Sequence, residues 1–156
     1  MENKVIMVKS EADDILQLKD NLRKEDIEEC RACGHTPMES LMQGYAFSDC
    51  YSAKKNGKTI AMFGVSSYRQ PQGFGVIWFL GSDEVFKHPI TLVKGGREYT
   101  DKWFKEGYKV LYNAVDKRNI KHINWLMHLG FIFTDTIKVN GYDFLQFYKR
   151  SGECVT

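Results

Sequence analysis

Apolar positions along this chain change their spacing several times, and each change marks an element. Lys4 to Lys9 alternates weakly, which predicts a strand. Ile15, Leu18 and Leu22 then recur at helical spacing, behind Ser10 as a cap with Asp13 three residues on. A second helical stretch runs from Lys24 to Cys33, with Gly34 as its stop. Thr36-Pro37-Met38-Glu39 reads as a helix start: a capping hydroxyl, a proline suited to the first turn and a glutamate able to complete a capping box. That helix carries Leu41, Met42 and Tyr45 and should end near Phe47.

The period then shortens. Cys50 to Lys55 and Thr59 to Tyr68 read as strands joined by Asn56-Gly57, a favoured tight-hairpin dipeptide. Arg69 to Gly73 is a turn. Gly75 to Leu80 is continuously apolar, as expected of a strand buried on both faces. Gly81-Ser82-Asp83-Glu84 breaks that run and can start a helix. Pro89 to Glu106 predicts a helix that contains Gly95-Gly96. Two interior glycines cost about 2 kcal/mol relative to alanine, so a kink or a tight contact is expected there. Val110 to Val115 is a further strand. Asn119 caps a helix with the apolar stripe Ile120, Ile123, Leu126 and Met127, which Gly130 ends. Phe131 to Phe133 and Tyr142 to Tyr148 are two last strands, with Asn140-Gly141 between them.

The order is strand, helix, helix, three strands, helix, strand, helix, two strands. It predicts an α/β (α+β) fold in a single domain over 1–150, with a mixed sheet of about seven strands flanked by about four helices. Residues 151–156 read as a flexible tail. Gly75–Leu80 and Val110–Val115 should be parallel neighbours that diverge at one end, because the helix between them supplies the long crossover that parallel strands need.

Composition narrows the function classes. Lys plus Arg is 22 against 20 Asp plus Glu, a net charge of +2, which gives no electrostatic reason for general nucleic-acid or membrane affinity. No apolar run reaches the roughly 18 residues of a membrane span. The segment MENKVIMVKSEADD lacks the apolar stretch of a secretory signal, so Cys30, Cys33, Cys50 and Cys154 are expected to be free thiols. Cys30-Arg31-Ala32-Cys33 falls at a helix end, where the helix field opposes a thiolate. His35 and Cys50 are the nearby candidates to complete a zinc set, and the fourth ligand is missing, so no metal is expected. His35, His88, His122 and His128 stand in no metal-binding spacing and read as structural or surface residues. There is no nucleophile elbow, GxxxxGK loop or GxGxxG fingerprint.

The informative segment is Asn119 to Phe131, NIKHINWLMHLGF. In this element order it resembles the NxxAxxxYxxxGF signature of the GCN5-related N-acetyltransferase (GNAT) superfamily, matched at Asn119, Gly130 and Phe131. The resemblance implies a sheet whose fourth and fifth strands splay apart, with acyl-CoA in the notch. It implies cofactor contacts at Gly81, Ser82 and Asn119, with acetyl-CoA as the cofactor if the chain is active. Two departures stand out. The superfamily's Q/R-x-x-G-x-G/A phosphate loop is replaced by Gly81-Ser82-Asp83-Glu84-Val85-Phe86, and its acid tyrosine by Leu126. Leucine cannot protonate a departing thiolate. Asp83 and Glu84 are expected to lie where the superfamily places anionic ligand groups, with one of them at the helix terminus. The simpler expectation for Ser82 is that it caps a short helix.

Glu29 to Pro37, Ala61 to Val65, Trp78 to Ser82 and Asn119 to Phe131 together resemble the internal virion protein A family of short-tailed phages, GNAT-like in fold. That resemblance implies a role in virion morphogenesis through contacts with phage virion proteins or a host protein. The setting would be the cytoplasm of the infected bacterial host or the virion. Neither nucleic acid nor membrane is expected as a partner. Three functions follow as alternatives: an assembly protein without cofactor, an acyl-CoA-dependent N-acyltransferase of a viral or host protein, and a small module that inhibits a host factor. No catalytic residue is assigned.

Overall fold

The computed structural model describes residues 4–152; Cys154 and the rest of 153–156 lie outside the described residues. Seven strands and five α-helices follow in the order β1 (Val5–Lys9), α1 (Ala12–Leu18), α2 (Lys24–Ala32), α3 (Pro37–Phe47), β2 (Asp49–Lys55), β3 (Lys58–Ser66), β4 (Phe74–Gly81), α4 (Pro89–Lys105), β5 (Val110–Asp116), α5 (Ile120–His128), β6 (Ile132–Val139) and β7 (Tyr142–Arg150). A single turn of 3₁₀ helix, Val85–Lys87, precedes α4. Three helices separate β1 from β2, at the three helical stretches read there, where the element order drawn from the sequence counts only two. The break between α1 and α2 falls at 19–23, where the Arg23 N–H leaves the helical pattern to donate to the Gly81 carbonyl at 2.9 Å.

The strands form one mixed sheet, β1-β2-β3-β4-β5-β7-β6. Every pairing is antiparallel except β4 with β5. That parallel ladder holds for three residue pairs only, Phe74–Val110, Gly75–Leu111 and Val76–Tyr112. Beyond it the two strands part, as the apolar runs and the crossover helix predict. At the fork the Asn113 side chain donates to the Ile77 carbonyl at 2.7 Å, meeting an acceptor that the ladder no longer serves. Past the fork β5 stays paired to β7 as far as Asp116, and β4 to β3 as far as Gly81.

Strand alternation divides the interior in two. Phe63 and Phe79 join Trp103, Leu111, Val115, Leu126 and Phe147 beneath α4 and α5. Met62 and Leu80, one residue along, join Ile15, Leu18 and Leu41 beneath α1 to α3. The glycine pair in α4 marks a tight contact in an unbroken helix. A Cβ on Gly95 would lie 2.7 Å from Met7, and one on Gly96 the same distance from Leu129.

Most local signals hold and two shift. Thr36 caps α3 through the Glu39 N–H at 3.1 Å, and Glu39 returns a bond to the Thr36 N–H at 2.8 Å. Asn56-Gly57 and Asn140-Gly141 all take the positive φ of tight hairpins. Ser10, however, does not cap α1. It is buried against Ser52, and Glu11 takes the cap position with its N–H on the Asp14 carboxylate at 2.9 Å. Ser151, placed in the expected tail, is tied to Lys109 by a backbone bond of 2.9 Å.

Gly130 ends α5 with φ +87°, the left-handed conformation expected of it. Gly130→Val should lower stability by more than ~1 kcal/mol, because a β-branched residue is a steric outlier there. An unchanged urea midpoint would contradict this.

Candidate functional site

The fork between β4 and β5 puts the end of β4 opposite the start of α5, and α2 lies across both. Its Asp26, fully buried, reaches each side. One carboxylate oxygen accepts the Gly81 N–H at 2.9 Å, and the other accepts the Asn119 side-chain amide at 2.9 Å and Arg23 at 3.1 Å. Arg23 also donates to the side-chain oxygen Oδ1 of Asn119 at 3.1 Å, and its guanidinium lies 4.3 Å from the Phe86 ring centre. Burial pushes the Asp26 carboxyl above its ordinary range, against the opposing charge of Arg23.

Gly81, Ser82 and Asn119 therefore come together at one end of the fork, but their polar groups are engaged within the protein. Gly81 gives its N–H to Asp26 and its carbonyl to Arg23. Ser82 gives both its N–H and its hydroxyl to the Ile60 carbonyl, each at 2.9 Å, and so caps no helix. Asn119 stands at the start of α5, yet its side chain turns to Arg23 and Asp26 instead of capping.

The expectation for Asp83 and Glu84 holds in one respect: Glu84 takes the N-cap position of the 3₁₀ turn Val85–Lys87, though its carboxylate makes no capping bond. Asp83 is exposed. Glu84 turns aside to Lys55 at 2.5 Å and Lys87 at 3.3 Å, and these lysines hold its carboxyl down to about 2. The anion that takes the strand-end donor comes from Asp26, 55 residues earlier in the chain. The first helical residue of α4 is Pro89, which has no N–H to offer a phosphate. Leu126, at the position of the superfamily's tyrosine, is buried in the core.

The fork also opens a cavity of about 410 Å³ lined from both faces of the sheet. Glu29 of α2 lines it, and its carboxylate accepts the Asp116 N–H at 2.8 Å. Burial, with Asp26 and Asp116 nearby, pushes the Glu29 carboxyl up to about 8. A carboxyl so placed can take a proton close to neutral pH. Sequence reasoning missed both Asp26 and Glu29, since acidic residues in a charged helix carry no signal that they are buried. Cys30 and Cys33 line the same cavity as free thiols, and burial lifts Cys30 to about 11. Among the described residues no group of His, Cys, Asp or Glu could hold a metal ion, and no helix is long and apolar enough to cross a membrane.

Comparison with solved structures identifies the architecture. A GNAT-family acetyltransferase from Streptococcus pneumoniae superposes with a TM-score of 0.68 at 14% identity, covering 96% of this chain and 100% of the other. This chain has the GNAT acetyltransferase fold. A spermidine N-acetyltransferase from Vibrio cholerae, solved with CoA and spermine, gives 0.69 at 13% identity over 96% of each chain. The aminoglycoside acetyltransferase AAC(6')-Ib, solved with coenzyme A, gives 0.70 at 14% over 95% of each. At these identities the likeness establishes the fold alone. No family model matches the chain, and no curated protein matches it either. The resemblance to the phage internal virion protein family gains no support from these comparisons.

Two measurements test the site. Asp26→Ala should destabilise by about 3–5 kcal/mol, because it removes the buried partner of Arg23 and leaves that buried charge only the longer, 3.6 Å contact to the exposed Glu25. Arg23→Met with Asp26→Leu should cost clearly less than the sum of the two single changes. An additive result in urea melts would contradict the coupling. The second measurement concerns Glu29. The native state keeps its proton up to about 8, while the unfolded chain releases it near 4.5. Native Glu29 thus holds more protons between those values, so its contribution to stability is present below pH 4.5 and lost as pH rises to about 8. Glu29→Gln should gain stability relative to wild type across that window and level off above it. A pH-independent difference would refute the assignment.

Proposed function

We propose that this protein is a GNAT-fold protein that acts through protein contacts in phage virion morphogenesis, without acetyl-CoA-dependent transfer. The observation that carries the reading is the occupied end of the fork at Gly81 and Asn119. The Gly81 N–H and the Asn119 side chain are both held by the buried Asp26, and Ser82 is spent on Ile60. A pyrophosphate site needs several free backbone N–H groups at a helix start. Here the loop has one glycine, two carboxylates and a proline at the first helical turn. The phage setting is supported by the four sequence segments that resemble the internal virion protein family. It places the protein's partners among virion proteins or a host protein, in the infected cell or the particle.

A second reading has one specific observation in its favour. Glu29, held near 8 beside the cavity, can serve as a general base for an amine acceptor in its ionised form, which gains population as pH rises toward 8. An N-acyltransferase would use it so, with the phosphates held outside the Gly81–Phe86 turn.

Titration calorimetry and thermal unfolding with acetyl-CoA separate the two. A ligand at 100 times its dissociation constant adds about 2.7 kcal/mol of stability. The assembly reading expects no heat of binding and no shift in melting temperature at millimolar acetyl-CoA. Micromolar binding, with a transferase rate that falls in Glu29→Gln, would replace it with the second reading.

A further inference from the structure

The end of the sheet away from the fork gathers positive charge that the composition hides. Three stretches meet there: the β3–β4 turn at 67–73, the α4–β5 turn at 105–109 and the close of β7 at 149–152. The Lys109 N–H donates to the Gly73 carbonyl at 2.7 Å, and the Ser151 N–H donates to the Lys109 carbonyl at 2.9 Å. Together the stretches hold Arg69, Lys105, Lys109, Lys149 and Arg150 against one carboxylate, Glu106, in a chain whose 22 basic residues nearly balance 20 acidic ones. Glu106 is taken by Lys102 at 2.7 Å, and Lys149 donates to the Leu129 carbonyl at 2.8 Å. Arg69, Lys105 and Lys109 are exposed, and among the described residues no carboxylate pairs with them.

One of these cations is held at a conformational cost. Among the described residues the non-glycines at positive φ are Asn56, Asn140 and Arg69, the last at +56°. Asparagine tolerates that region, whereas arginine lacks the short polar side chain that eases it. A strained residue of this kind points to a use for its side chain. Beside it lies an apolar floor. Phe74, Val110 and Arg150 stand in register across β4, β5 and β7, and Val76, Tyr112 and Tyr148 form the next row. Phe74 is 36% exposed, and Val76, Val110, Tyr112 and Tyr148 are half-buried, so this part of the sheet face meets solvent. Its rings are already engaged. Tyr68 stacks on Phe47 at 4.6 Å with the Arg69 guanidinium 5.1 Å from its centre, and the Arg150 guanidinium lies 5.5 Å from the centre of Tyr148. Phe74 meets Tyr112 edge-on at 5.9 Å.

We propose that this end of the sheet docks an acidic, extended polypeptide segment of a partner protein, its carboxylates meeting Arg69 and Lys109 and an apolar side chain resting on Phe74 and Tyr112. Opposite charge steers the encounter, and the half-exposed apolar rows add contact area. A single-stranded nucleic acid is the other polyanion that such a patch attracts, but it draws much of its affinity from bases stacked on free ring faces. Here Tyr68 is engaged by Phe47 and Arg69, and Tyr148 by Arg150, which favours the polypeptide. The surface is remote from the fork: Phe74 lies at the opposite end of β4 from Gly81, about 23 Å away along the strand. It rests on the reading above only in taking the partner to be a protein.

The test is fluorescence anisotropy of a fluorescein-labelled peptide of alternating glutamate and leucine, titrated with the full chain. The peptide should bind saturably and weaken with added salt, and its counterpart with glutamine for glutamate should bind at least tenfold more weakly. Arg69→Gly removes the charge and relieves the left-handed strain together. It should leave the melting temperature equal or higher and weaken the peptide at least fivefold. Lys109→Gln should weaken it at least threefold, while Lys94→Gln, at an exposed position in the first half of α4, should leave it unchanged. No saturable binding, equal affinity for the glutamine peptide, or unchanged affinity in Arg69→Gly would overturn the proposal. A labelled oligo-dT that binds more tightly than the acidic peptide, and is weakened by Arg69→Gly, would overturn it in favour of a nucleic-acid surface. Acetyl-CoA titrated in parallel keeps the two readings apart. Peptide binding with acetyl-CoA silent supports both, and peptide binding with acetyl-CoA bound as well supports this surface and overturns the assembly reading. Both silent overturns this surface alone, and acetyl-CoA binding with the peptide silent overturns both.

Discussion

A single buried carboxylate holds the centre of this structure together. Asp26 takes donors from Arg23 at the cap of its own helix, from the end of β4 and from the start of α5, three segments that no backbone ladder connects. In a low-dielectric interior such bonds are strong when every member is satisfied and costly when one is missing. Arg23 supplies the opposite charge, and the Phe86 ring covers its guanidinium. With α2 fixed in this way, Glu29, one turn further on, reaches the Asp116 N–H at the end of β5. The fork is thus bridged on both of its arms by one helix.

The fork itself follows from how the strands are paired. β4 is committed to β3 from Val76 to Gly81 and β5 to β7 along its length, so the parallel contact between them is free to end after three residue pairs. Asn113 meets one of the carbonyls released there. Side chains from both cores line the gap, which is why its wall is aromatic and aliphatic. Backbone geometry of this kind is shared with acetyltransferases at 12–14% identity. What the geometry does depends on which groups occupy the fork. In this chain the strand-end donor is taken by a carboxylate of the protein, and the helix behind it starts with proline.

Local signals in the sequence determined most strand and helix bounds, the two Asn-Gly hairpins, the α3 capping box, the left-handed Gly130 and the parallel pair that diverges; β6, read as Phe131 to Phe133, instead runs Ile132–Val139. Each depends on neighbours a few residues apart or on a single run of apolar positions, and such interactions are the same in the chain as in the fold. Tertiary structure decided the content of the site. Asp26 meets partners 55 and 93 residues away, and Glu29 one 87 residues away. Asp83, Glu84 and Asp26 look alike as charged residues near helix starts, and only packing decides which one is buried. Ser82 and Asn119 read as caps because their short polar side chains suit one; once burial offered a carbonyl to Ser82 and an ion pair to Asn119, those partners won.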